Sequence, residues 1–170
     1  MRRFLFFITI LALLVGCGTF STFGKIEEKS IQTLEGEVVI KQLCIAPRTV
    51  KTNMSELWLH KSDGLYVLVG VFYSPRYFEK ASFKISIGDK TFNMIGTTSF
   101  DAEVWGYTKG SGGIGGTIYT RAVSSALSDE IVDLLKNASQ FKADLNTPLQ
   151  ERIEIIEGDN LKVIKEFFIN

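Results

Sequence analysis

The sequence predicts an α+β protein, mainly antiparallel sheet, with one clear helix over about 128–137 and a short C-terminal helix. Three observations predict it. Branched and apolar residues come in short runs separated by Gly, Asp and Pro, which is how strands are punctuated. Phe83, Ile85 and Ile87 alternate with Lys84, Ser86 and Gly88, the period of a half-buried strand. Ile131, Leu134 and Leu135 repeat at helical spacing. A β-sandwich with a helical insert is the alternative architecture for the same pattern.

The elements follow in chain order. Gly36 to Ala46 (GEVVIKQLCIA) is a branched, apolar run stopped by Pro47. Trp58 to Lys61, the turn Ser62-Asp63-Gly64 and Leu65 to Tyr73 make a hairpin, because Asp and Gly tolerate the positive φ of a tight turn. Val67 to Tyr73 is nearly all apolar and is expected to be a central strand covered on both faces. Gly70 within it marks a bulge or a close neighbour, and Ser74-Pro75 ends it. After strand 83–87, Gly88-Asp89 turns the chain and Thr91 to Ile95 returns. Residues 96–107 are expected to be irregular, and 110–116 to be a glycine-rich loop before a strand at Thr117 to Val123. Ser128 caps the helix, with Asp129 and Glu130 favoured beside its positive end. Phe141 to Leu145 and Arg152 to Glu157 are further strands. Asn160 then caps the terminal helix, with Leu161, Ile164 and Phe168 on one face.

The strongest asymmetry lies at the N-terminus. Arg2 and Arg3 precede eleven uncharged residues, Phe4 to Leu14, all apolar but Thr9, and small Gly16 stands before Cys17. Charge, apolar core and small residue in that order form an export signal. The apolar run falls short of the roughly 20 residues that cross a bilayer core as a helix. Leu14-Val15-Gly16-Cys17 resembles the lipobox of bacterial lipoproteins. The resemblance implies cleavage between Gly16 and Cys17 and a diacylglyceryl group on the Cys17 thiol. Gly18 stands where Asp would resemble an inner-membrane retention signal, so the resemblance implies the outer membrane if the host is Gram-negative. The expected organisation is a signal peptide at 1–16, a lipidated Cys17 with a short tether over 17–32, and one globular α+β domain over 33–170. The element order of that domain resembles only uncharacterised periplasmic lipoprotein domains, and no residue role is carried over from them.

Composition excludes several function classes. The chain has 170 residues with 19 basic and 19 acidic side chains, one His and two Cys. A neutral balance gives no electrostatic case for nucleic acid. One His and two Cys cannot build a zinc ribbon or a disulfide framework. Cleavage before Cys17 leaves 154 residues with 17 basic and 19 acidic groups, and Cys44 as the one thiol. Cys44 stands between Leu43 and Ile45 and reads as a small core residue.

No catalytic set emerges. Gly110-Ser111-Gly112-Gly113-Ile114-Gly115 matches G-x-G-x-x-G, but a dinucleotide site needs that pattern to open a helix, and strand-like Thr117-Ile118-Tyr119-Thr120 follows. His60 stands beside Leu59 and Lys61, with no nucleophile elbow to serve, and reads as an exposed or hairpin-flanking histidine. No H-x-x-x-H, C-x-x-C or EF-hand spacing suggests a metal. The candidate ligand surface is Asp101, Glu103, Trp105 and Tyr107, two carboxylates and two aromatics on alternate residues. Paired carboxylates serve glycoside hydrolysis, and aromatic rings stack on sugars. The segment 76–80 reads as a loop with its aromatic residues folded inward.

These features predict a membrane-anchored envelope lipoprotein acting as a non-catalytic interaction or adaptor module. Its expected partners are the membrane, through the lipid at Cys17, and an envelope protein or glycan. No cofactor is expected. The alternatives are an envelope enzyme acting on glycan or lipid through Asp101 or Glu103, and an inhibitor or exclusion lipoprotein.

Overall fold

A computed structural model describes residues 23–33, 36–47, 55–107 and 114–169. The strands are β1 (Ile26–Thr33), β2 (Gly36–Ala46), β3 (Ser55–Ser62), β4 (Leu65–Ser74), β5 (Ser82–Ile87), β6 (Lys90–Met94), β7 (Thr97–Tyr107) and β8 (Ile114–Ala126). Helix α1 (Asp129–Asn137), β9 (Gln140–Thr147), β10 (Gln150–Glu157) and helix α2 (Gly158–Ile169) complete the order. The strands divide between a six-stranded sheet, β1-β2-β3-β4-β8-β7, and a four-stranded sheet, β10-β9-β5-β6. Every described pairing is antiparallel. The described residues are therefore mostly antiparallel sheet with two helices, as an α+β reading requires.

Local chemistry explains the joints. Asp63 and Gly64 both take positive φ, 49° and 76°, so the β3–β4 turn has the twist that antiparallel strands need. β4 lies between β3 and β8, and Val67 to Phe72 are buried without a break, as a doubly covered strand should be. Gly70 is the close neighbour: a Cβ there would stand 3.0 Å from the Phe83 ring and 3.1 Å from Phe72. Its missing side chain lets Phe83 of the second sheet approach β4. Ser128 caps α1 by accepting from the Ile131 N–H at 3.4 Å, and Ile131, Val132 and Leu135 turn inward.

One core joins the layers. Leu43, Leu59, Leu68 and Phe72 from the six-stranded sheet meet Phe83, Ile85, Phe141 and Leu145 from the four-stranded sheet. Leu135, Ile164 and Phe167 from the helices belong to the same cluster. Tyr66 ties α2 down by donating its hydroxyl to the Phe168 carbonyl at 3.0 Å, with its ring edge-on to Phe167 and Phe168. Arg152 joins the sheets by another route. It lies on the core side of β10, donates to the carbonyls of Ser55 and Pro47 beside the six-stranded sheet, and pairs with Glu154.

Four expectations are corrected. Ile26–Thr33, all but Thr33 inside the span read as tether, forms edge strand β1 against β2. Residues 97–107, read as irregular, form β7 and pair with β8 through Tyr107 opposite Ile114. The C-terminal helix, read as short, is the longer of the two at 12 residues against 9. Asn160 lies inside it and does not cap it, because β10 passes straight into the helix at Gly158, whose φ is 58°.

Candidate functional site

The six-stranded sheet has a second face, opposite the core, and its residues follow from register. Opposite residues of an antiparallel pair share a face. Trp58 lies opposite Val69 and Cys44, His60 opposite Val67 and Gln42, and Glu56 opposite Val71. Val71 lies opposite Ala122, and Tyr73 opposite Thr120. Val67, Val69, Val71 and Ala122 form their own apolar cluster, with Trp58, Leu65 and Tyr73 against it. No residue of either helix or of the four-stranded sheet belongs to this cluster.

Polar side chains border the apolar row. Glu56 accepts from the Trp58 indole N–H at 3.0 Å and from the Tyr73 hydroxyl at 3.1 Å. Gln42 donates to Glu27 at 2.9 Å, and Glu27 also pairs with Lys25. The His60 ring meets Trp58 edge-on, with centroids 6.5 Å apart. His60 and Ser62 are each 5% exposed, and among the described residues neither His60 Nδ1 nor Ser62 Oγ has a hydrogen-bond partner. Burial, with a smaller contribution from the Lys29 charge, pushes the His60 imidazole down to about 4, so the ring is neutral at pH 7.

Sequence reasoning read His60 as exposed or hairpin-flanking; it does flank the β3–β4 hairpin, and it is buried. Leu59 faces the core, so the alternation of the strand sends His60 to the opposite side, which sequence alone reads as solvent. The sequence candidates all lie on β7, an edge strand paired to β8. Asp101 lies opposite Thr120 and Glu103 opposite Ile118, and Trp105 and Tyr107 continue the alternation along β7. Their side chains lie outside the described residues. So do Gly16, Cys17 and the rest of the lipobox. The G-x-G-x-x-G motif runs from residues outside the described set into β8 at Ile114, so it opens a strand and no helix. Cys44 is buried on this second face, at 1% exposure, beside Trp58.

Other buried charges are structural. Asp144 lies on the outer face of the four-stranded sheet, 3.1 Å from Lys84 and 3.0 Å from Lys142. Burial acts to raise the Asp144 carboxyl, and these two lysines outweigh it and hold it below the usual range. Among the described residues no group of three His, Cys, Asp or Glu side chains is placed to hold a metal, and no helix is long and apolar enough to cross a membrane. No family model matches this chain, and neither a curated protein sequence nor a solved structure does.

Proposed function

We propose that the protein is a lipid-anchored lipoprotein of the bacterial envelope, held to the membrane through Cys17, and that its folded domain is a non-catalytic interaction module. The anchor reading is supported by the order Arg2-Arg3, Phe4 to Leu14, Leu14-Val15-Gly16-Cys17. Single acyl chains bind membranes marginally and two or three hold durably, so a diacylglyceryl thioether would suffice without a basic patch. If the host is Gram-negative, Gly18 after the cysteine favours the outer membrane.

The observation that carries the module reading is the second sheet face. A sheet needs one apolar face to fold, and the core satisfies that need. This sheet has a second apolar cluster on its other side, bordered by His60, Ser62, Gln42 and Glu56. An apolar centre with a polar border is the composition of a binding face, and these residues are covered within the chain itself, Val67, Val69 and Val71 at 3–5% exposure and His60 and Ser62 at 5%, so the support is one of composition.

Fractionation tests the proposal. Wild-type protein should sediment with membranes, resist high salt and alkaline wash, and be released by detergent. Cys17→Ser should appear in the soluble fraction. Release of the wild type by salt alone would contradict a lipid anchor.

A further inference from the structure

We infer that the outer part of the β7–β8 hairpin is a membrane-contacting arm, set into the interfacial layer of the lipid bilayer that holds the anchor. The inference rests on the lipid-anchor reading at Cys17 and adds the surface through which the folded domain meets the membrane.

The arm follows from register. β4 pairs with β8 as far as Ser74 opposite Tyr119. β7 and β8 continue past that point for five more pairs, from Glu103 opposite Ile118 to Tyr107 opposite Ile114. β7 is the outermost strand of the sheet, and among the described residues no strand pairs with the other edge of β8 there. At about 3.4 Å per residue the ribbon projects ~17 Å beyond β4. Two strands alone are marginal in water, so such an arm needs a surface to rest on.

Its composition names that surface. From Val104 to Thr120 the one charged residue is Lys109. Trp105, Tyr107 and Tyr119 are of the aromatic types that gather where membrane meets water. A lysine is the charge that a phosphate-bearing surface accepts. The open edges of the ribbon would be costly in hydrocarbon, where backbone groups find no water, so the arm lies in the interface and does not cross.

Anchor and arm leave the same end of the sheet. Ser74 ends β4, and Ser55 of β3 and Ala46 of β2 stand toward that end, opposite Phe72 and Leu57. β1 begins with Ile26 opposite Leu43, and the Gly24 N–H donates to the Cys44 carbonyl at 3.2 Å. The chain therefore enters β1 from the Ala46 end. Phe23 packs against the core there, and Cys17 stands six residues upstream, a reach of at most ~20 Å. That reach is close to the length of the arm. A lipid on Cys17 holds this end toward the bilayer and turns the Asp63-Gly64 hairpin away from it.

The test uses the full lipidated chain in phosphatidylcholine vesicles whose upper acyl carbons carry bromine, a contact quencher of tryptophan. Trp58 and Trp105 are the two tryptophans, and Trp58 lies within the sheet between Cys44 and Val69. Bromine should cut wild-type emission by about a third and leave Trp105→Phe nearly unchanged, with the same circular dichroism in both. The mass of the same sample reports the diacylglyceryl group on Cys17, so failure of the anchor and failure of the arm are read separately. Equal quenching in wild type and Trp105→Phe, or none in either while the lipid mass is present, would overturn the inference. An unquenched wild type whose Trp105→Cys variant forms disulfide-linked dimers would overturn the lipid surface in favour of a second copy of the chain.

Discussion

Gly96 lies against the backbone of Ser124: a Cβ on Gly96 would overlap the Ser124 carbonyl oxygen. The contact fixes how the chain leaves β6 and enters β7, where Thr97 pairs with Ser124. Ser125 adds a hydrogen bond to the Ile95 carbonyl at 3.4 Å. Because the clash is with backbone, no rotamer change can relieve it. Gly96→Ala should cost about 3 kcal/mol. Gly88→Ala, where nothing lies within 4 Å and only a φ of 61° opposes the change, should cost about 1 kcal/mol. Urea denaturation of the two variants compares them, and equal losses would contradict the contact.

His60 gives the fold a defined acid response. Its folded pKa is about 4, below the unfolded value near 6.5, because burial opposes the charged ring. A depressed histidine contributes stability that is complete above pH 6.5 and is lost as pH falls toward 4, since the unfolded chain binds the proton first. The loss across that window should be about 3 kcal/mol. Denaturation at pH 7, 5.5 and 4 should show it in the wild type, and His60→Leu should flatten that part of the slope. An identical slope in both would show that the histidine is exposed.

Arg152, buried on the core side of β10, should be costly to replace. Its guanidinium serves the Ser55 and Pro47 carbonyls at once and pairs with Glu154. Arg152→Met removes those partners together and should destabilise by about 3 kcal/mol. Arg152→Lys should recover less than half, since one ammonium cannot reproduce the planar fork. Full recovery by lysine would mean that charge alone matters there.

The sequence made most strands legible where apolar alternation met turn chemistry. Asp63-Gly64 located the β3–β4 hairpin, and VLVGVFY announced a central strand because two buried faces leave no polar positions. The misses share a cause. β1 (IEEKSIQT) and β7 (TTSFDAEVWGY) are the two edge strands of the larger sheet. An edge strand carries charged residues that discourage further pairing, so it lacks the pattern of a core strand. α2 escaped correct placement because it begins without a capping side chain, directly at Gly158. His60 illustrates the deeper limit. Alternation tells which residues share a face but not whether the opposite face is buried, so the second apolar cluster was invisible until β3, β4 and β8 were placed side by side.

Metabolic labelling addresses the anchor most directly. Bacteria expressing the full chain and grown with a labelled fatty acid should label the wild type and cut it before Cys17. Cys17→Ser should carry no label and keep the precursor mass. Label retained by Cys17→Ser, or a wild type that stays unlabelled at precursor mass, would contradict the lipid-anchored reading.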